Sequence, residues 1–260
     1  MTRTAVIVQA RMASTRLPGK VLLPLGSTTV LDHVLTRCTA ISEADIICCA
    51  VPDTKDCDPV ADEVKRIGKR TGACVFRGSE SDVLDRYYRA AKDVRAERVL
   101  RVTSDCPLID PAVCDGVLQL LSDRNADYAA NNMLAGWPHG LDCEAFDFEW
   151  LERAANEAGT PFEREHVTPY ILTHEAALKV NLDGPGNTIA VHRWTLDTPA
   201  DLEFMRALFE RLPAGDAAWS YKVPLAIVEA EPGLSELNAA DNTRLQSFGN
   251  KPGGAEECRT

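Results

Sequence analysis

A chain of 260 residues can bury a full core, as one large α/β domain or two small ones. Its 28 Lys and Arg face 39 Asp and Glu, a formal charge of -11, so most of its surface repels phosphate; this excludes a general nucleic-acid binder and a membrane-surface protein. The nine scattered cysteines form no CxxC pair and no His/Cys ligand spacing, and no stretch approaches the eighteen or so apolar residues of a membrane span, so a cytoplasmic protein with cysteines used as small core residues is expected.

TAVIVQA near the amino terminus reads as a buried strand, too short for a signal peptide because Arg11 follows at once. STTVLDHVLTRCTAI reads as an amphipathic helix and ADIICCAV as a second, wholly apolar strand. Asp58 to Thr71 carries Val60, Val64 and Ile67 at helical spacing; ACVFRG is then a strand, SESDVLDRYYRAAKDV a helix, and ERVLRVTSDCPLID a strand ending in a polar turn. Strands apolar throughout and separated by helices predict a doubly wound, mostly parallel sheet in a three-layer α/β/α fold of Rossmann-like type. Ligands of such sheets bind beyond the carboxyl ends of the strands.

From Pro111 the rhythm loosens. A helix over Pro111 to Asn125 precedes YAANNMLAGWPHGLDCEAF, whose Gly and Pro suit a lid or an antiparallel excursion. Helices are expected near Phe148 to Ala158 and over Phe162 to His174, strands at ALKVNL and IAVHRWTL, and a helix from Pro199 to Arg211. Residues 1–248 are taken as one domain, with a frayed polar tail at 249–260.

The stretch QARMASTRLPGK puts Arg11, Arg16 and Lys20 on one short loop after the first strand. Three like charges there repel one another unless an anion lies among them. The loop is no P-loop, since Gly19-Lys20 is followed by Val21 and Ser14 stands where the first glycine belongs, and the G-x-G-x-x-G fingerprint is absent. Two guanidinium groups, one ammonium, and the hydroxyls of Ser14 and Thr15 suit a polyphosphate; a solvated basic loop paired with acidic neighbours is the plainer alternative.

VQARMASTRLPGKVLLPLGSTTVLDHVLTR resembles the opening of the cytidylyltransferases that activate sugar acids, with their A-R-x-x-S-x-R-[LF]-P-x-K signature, and most closely their spore-coat polysaccharide relatives. The resemblance implies a nucleotide-diphospho-sugar transferase fold, related to the GT-A fold, and CTP as a substrate held by Gln9, Ala10, Arg11, Ser14, Arg16 and Lys20.

In-line displacement at phosphorus is served by a divalent cation, and Mg²⁺ commonly takes only one or two carboxylates. Asp105 in SDCPLID and Asp197 in WTLDTPADL each end an expected strand. On the residues alone, Asp105 could cap a turn, and Asp197 or Thr198 could cap a helix that has Pro199 at its first position. The resemblance makes Asp105 and Asp197 the metal carboxylates and, with Arg11 and Lys20, the catalytic set. It also implies nucleoside contacts from Arg77, Gly78, Ser79 and Asp82, although Ser79 and Asp82 fit a plain helix start equally well.

Sugar recognition is expected from Asp142, Glu144, Arg164 and His166, with the acceptor entering over the Trp137 to Glu144 loop. Against this, Glu163 to Glu165 suit an exposed helix face, and His166 suits a structural hydrogen bond. The expected reaction joins CMP from CTP to a small sugar, such as a nonulosonate or related keto-sugar, for surface polysaccharide, with Mg²⁺ as cofactor. A homodimer stays open, and neither nucleic acid nor membrane is an expected partner. A nucleotide-sugar glycosyltransferase would normally show a D-x-D pair, where Ser104-Asp105-Cys106 offers one carboxylate; a catalytically silent nucleotide-binding protein is the third reading.

Overall fold

β1 (Thr4–Gln9) lies at the centre of the sheet, and TAVIVQ shows no alternation because both its faces are covered; only Gln9 at its end is partly exposed. The computed structural model describes residues 2–134, 136–213 and 218–242, and the expected tail lies outside them. After β1 come a hairpin of β2 (Pro24–Leu25) and β3 (Thr28–Thr29), α1 (Val30–Cys38), β4 (Ile46–Pro52), α2 (Asp58–Thr71), β5 (Cys74–Gly78), α3 (Val83–Asp93), β6 (Arg98–Thr103) and α4 (Pro111–Asp123). The later part holds β7 (Tyr128–Ala130), β8 (Glu144–Asp147), α5 (Phe148–Glu157), α6 (Pro161–His166), α7 (Pro169–Thr173), β9 (Lys179–Asn181), α8 (Asn187–Ala190), α9 (Pro199–Phe209), α10 (Lys222–Ala230) and α11 (Gly233–Glu236).

Seven strands join in the order β5-β4-β1-β6-β8-β7-β9, parallel except for β8, which runs antiparallel to β6 and β7. The chain winds outward from β1 to β5 and then returns to β6 on the other side of β1, which opens a crevice at the carboxyl end of β1. Val6 and Val8 pack against Leu31 and Val34 of α1, Val60 and Val64 of α2 and Leu118 of α4. Ala5 and Ile7 point the other way, into Leu84 and Tyr87 of α3 and Leu151 of α5, so the sheet is the middle of three layers. A third cluster gathers Leu25, Leu108, Trp194 and Leu196 beneath Phe204 and Met205 of α9.

Helix limits follow local chemistry. Pro59 sits in the first turn of α2 and Gly72, at φ 75°, ends it. Asp82, not Ser79, caps α3 through the Asp85 N–H, while Ser79 Oγ accepts from Asp82 N–H one turn earlier. All the described cysteines except Cys74 are buried, and none forms a disulfide. No helix among the described residues is long and apolar enough to cross a membrane.

Three expectations from the second half are corrected. The strand IAVHRWTL does not exist as a ladder: its start is α8, and its remainder is extended chain joined to the loop before β8 by a single bridge between His139 and Arg193. Trp194 and Leu196 are buried under α9 rather than within the sheet, so their apolarity reports helix packing. The helix over Phe162 to His174 breaks into α6 and α7 at Val167, whose φ of 72° and ψ of -56° form a γ-turn closed by Thr168 N–H to the His166 carbonyl at 2.9 Å. Pro169 then opens α7 in its first turn, where its missing N–H costs no helical bond. Finally, of the two readings of the stretch YAANNMLAGWPHGLDCEAF the antiparallel excursion holds, with β8 antiparallel to β6 and β7, and the lid does not, because Trp137, Leu141 and Cys143 are buried in the core. Gly140, at φ 116°, lies where a Cβ would fall 2.3 Å from the Trp194 carbonyl oxygen, so only glycine permits this close crossing.

Candidate active site

The basic loop folds on itself after β1. Gly19, at φ 67°, lets its N–H donate to the Met12 carbonyl at 3.1 Å, and Leu17 N–H donates to Ser14 Oγ at 3.4 Å. Buried Val21 anchors the short 3-10 turn Lys20–Leu22. The loop forms one wall of a cavity of about 610 Å³ at the carboxyl ends of β1 and β6. Gln9, Ala10, Arg11, Ser14, Arg16 and Lys20 all line it, as do Thr103, Ser104 and Asp105 after β6, Val83 and Arg86 of α3, Glu165 and His166 of α6, Arg101 and Asp197.

Residues 85 and 177 positions apart in the chain meet at the Lys20 ammonium. Nζ lies 2.7 Å from Asp105 Oδ2 and 2.7 Å from Asp197 Oδ1. Burial alone would lower the pKa of Lys20, but the two carboxylates overcome it and the net shift is upward. Burial would raise the pKa of Asp105, and the Lys20 charge and hydrogen bond reverse that to a net depression. Arg16 Nη2 stands 3.2 Å from Asp197 Oδ2 while remaining largely exposed.

Asp197 rests on a side-chain scaffold. Arg193 reaches Asp197 Oδ2 at 3.1 Å and clasps fully buried Asp201 with two bonds of 2.8 Å. Asp201 also accepts the N–H groups of Asp197 and Thr198, at 2.9 and 3.0 Å, and Nδ2 of Asn238 at 3.0 Å. Thr198 caps α9 in a capping box with Asp201. Burial would raise the pKa of Asp201, but Arg193 and these donors hold it below the usual carboxylate value.

Other expected contacts lie elsewhere. Arg77 faces away from the cavity, donating to the carbonyls of Pro52 and Thr54 at 2.8 Å each and to Asp58 at 2.9 Å. Gly78, Ser79 and Asp82 border a separate depression with it. Arg164 pairs with Asp82 and donates to the Ala155 carbonyl, tying α6 to α3 and α5, and does not line the cavity. Asp142 accepts from Gly140 N–H at 3.1 Å in the buried crossing and does not line the cavity.

Glu144, 5% exposed, lies behind the cavity and bonds Arg101, Tyr128 Oη and Thr168 Oγ1. Through Thr168 it fixes the γ-turn that presents Glu165 and His166 to the cavity, so of the four expected sugar contacts His166 alone lines it.

The sequence reading assigned no role to Arg86, Arg101, Arg193, Asp201 or Asn238. For Arg86 a signal was available: it is a charge on the apolar stripe of Val83, Tyr87 and Ala90, and a charge on a buried helix face calls for a reason.

Residues 5–215 match the family model described as cytidylyltransferase. The chain is 35% identical over 212 residues to the spore coat polysaccharide biosynthesis protein SpsF of Bacillus subtilis, covering 79% of this chain and 85% of the relative. It is 35% identical over 247 residues to a 3-deoxy-manno-octulosonate cytidylyltransferase of Rhodopseudomonas palustris, covering 78% and 96%. Among solved structures it resembles a cytidylyltransferase from Leptospira borgpetersenii with a TM-score of 0.82 at 28% identity, over 90% of this chain and 97% of the other.

Proposed function

The chain belongs to the cytidylyltransferase family, and on that premise we propose that it transfers CMP from CTP to a sugar acid, releasing pyrophosphate, in the assembly of a surface polysaccharide. The observation that carries this reading is the meeting of Lys20, Asp105 and Asp197 at one point of the cavity, beneath the loop of Arg11 and Arg16. Phosphate oxygens suit the guanidinium forks and the ammonium, and the same cations stabilise the charge that builds on the departing pyrophosphate.

The cofactor in this proposal is Mg²⁺, and its fit rests on the donor set. The carboxylates of Asp105 and Asp197 already point at a common cationic position, and hard oxygens are the ligands that Mg²⁺ prefers. Among the described residues no three His, Cys, Asp or Glu side chains gather to hold a metal, so these two carboxylates would leave the other ligand positions to phosphate and water. Bound there, the ion would neutralise charge on the phosphate oxygens and lower the pKa of an attacking hydroxyl. In the transfer the acceptor hydroxyl gives up its proton to water as its oxygen attacks the α-phosphorus, and the bond to the bridging oxygen breaks with its electron pair leaving on pyrophosphate. Glu165 and His166 form the wall nearest to α6, where they can accept hydrogen bonds from acceptor hydroxyls.

The test is pyrophosphate release from CTP with 3-deoxy-manno-octulosonate and other keto-sugar acids as acceptors. Thermal shift with each of the four nucleoside triphosphates and Mg²⁺ ranks the base, because a ligand that binds the folded state raises Tm by mass action. Stabilisation by UTP or GTP in place of CTP would end the cytidylyl reading. Folded Lys20→Ala and Asp197→Ala proteins working at the parent rate would end the site assignment.

A further inference from the structure

Arg86, 1% exposed, lines the cavity from α3. Two other arginines of this region, half-buried Arg101 and buried Arg193, come with a carboxylate built in: Arg101 pairs with Glu144, and Arg193 with Asp201. Arg86 has none among the described residues. Its Nη1 donates to the carbonyls of Ser79 and Glu80, and its Nε has no partner. A buried guanidinium held only by neutral carbonyls keeps its charge uncompensated, an arrangement that folded proteins rarely tolerate without use. Burial pushes the pKa of Arg86 down; Tyr87 beside it opposes this and the charge of Arg11 adds to it, and Arg11 and Arg86 line the same cavity, so two cations face a common space.

We propose that Arg86 is an anion receptor of this cavity, closing with Arg11 on one oxyanion of the bound ligand. A nucleotide phosphate and a carboxylate of the acceptor share the required chemistry, a flat or tetrahedral oxyanion that accepts paired N–H bonds from a guanidinium. Only the naming of these two sources rests on the cytidylyltransfer reading; the demand for an anion rests on the unpaired charge itself.

The experiment is isothermal titration of the wild type, R86Q and R86K with inorganic pyrophosphate, CTP, cytidine and 3-deoxy-manno-octulosonate, with Tm recorded for each protein. R86Q is expected to weaken at least one anion by about 10- to 100-fold, the worth of a hydrogen bond to a charged group, and to leave cytidine unchanged. R86K, a point charge without the planar fork, should fall between the two. Weakening of CTP and pyrophosphate together assigns the phosphate, and weakening of the octulosonate alone assigns the carboxylate. If R86Q does not fold, R86K decides by itself, and wild-type affinity of R86K for every anion overturns the proposal. So does a folded R86Q with a lower Tm and wild-type anion affinities, which would leave Arg86 as a brace for the Ser79 and Glu80 carbonyls. A wild type that binds pyrophosphate but not CTP would defeat the cytidylyl reading and leave the Arg86 comparison intact.

Discussion

Asp105 and Asp197 converge on the same ammonium from regions built in different ways. Asp105 is carried by the sheet: it follows β6 by two residues, β6 is locked to β1 along six paired positions, and Ser104 N–H donates to the Gln9 carbonyl at 3.2 Å. Asp197 has no strand beneath it. Its backbone N–H goes to Asp201, its carboxylate to Arg193, and Arg193 and Asp201 bind each other in the interior. One acid is therefore placed by backbone ladders that any strand-forming sequence can make, the other by a buried ion pair that requires particular side chains. Tolerance to substitution should differ accordingly, with the support of Asp105 spread over many residues and that of Asp197 concentrated in a few.

Loss of either acid should be the most damaging change. D105N and D197N should each slow CTP-dependent pyrophosphate release by about a thousandfold, as expected when charge stabilisation at the reacting phosphate is lost. If either variant falls by less than about tenfold, the two carboxylates are not partners in one task.

The next effect is on the scaffold. D201N should cost about 3 kcal/mol in urea unfolding, because Arg193 is left buried with its main counter-charge gone, and it should lower turnover as Arg193, no longer held by an anion at position 201, stops fixing the Asp197 carboxylate. Unchanged turnover in a folded D201N protein would show that Asp197 holds its place unaided. T198A removes the cap of α9 while leaving the ion pair, and should cost about 1 kcal/mol.

The smallest effect is the pH dependence of the same scaffold. Asp201 has a folded pKa below its ordinary value of 3.8, so its contribution is complete above that value and is lost as pH falls through the depressed one. The stability gap between wild type and D201N should therefore hold constant through neutral pH and close only in acid. A gap that closes nearer pH 6 would point to a different titrating group.

The parallel half of the fold was legible because its strands are buried on both faces. IICCAV and TAVIVQ could be nothing else between amphipathic helices, and the order of elements then fixed where ligands bind. The cationic loop was legible for a related reason, since Arg11, Arg16 and Lys20 are too close in sequence to be far apart in space. The second half was harder to read. HRWTL has the apolar content of a strand, but Trp194 and Leu196 owe it to α9, and nothing local distinguishes the two causes. FEREHVTPYI reads as a continuous helix except for Thr168-Pro169, and the γ-turn at Val167 depends on Glu144 receiving the Thr168 hydroxyl from another strand.

The doubly wound core and a cationic loop after its first strand were readable without the packing of distant elements, because they follow from periodicity and from residues that are neighbours in the chain. The tertiary structure alone decided which polar side chains face the cavity. It turned Arg86, Glu165 and His166 inward, and Arg77, Asp82, Glu144 and Arg164 to partners within the protein. The direction of a side chain at a helix start or turn is set by whichever distant group completes its hydrogen bonds and charge, and that partner is chosen only when the elements pack.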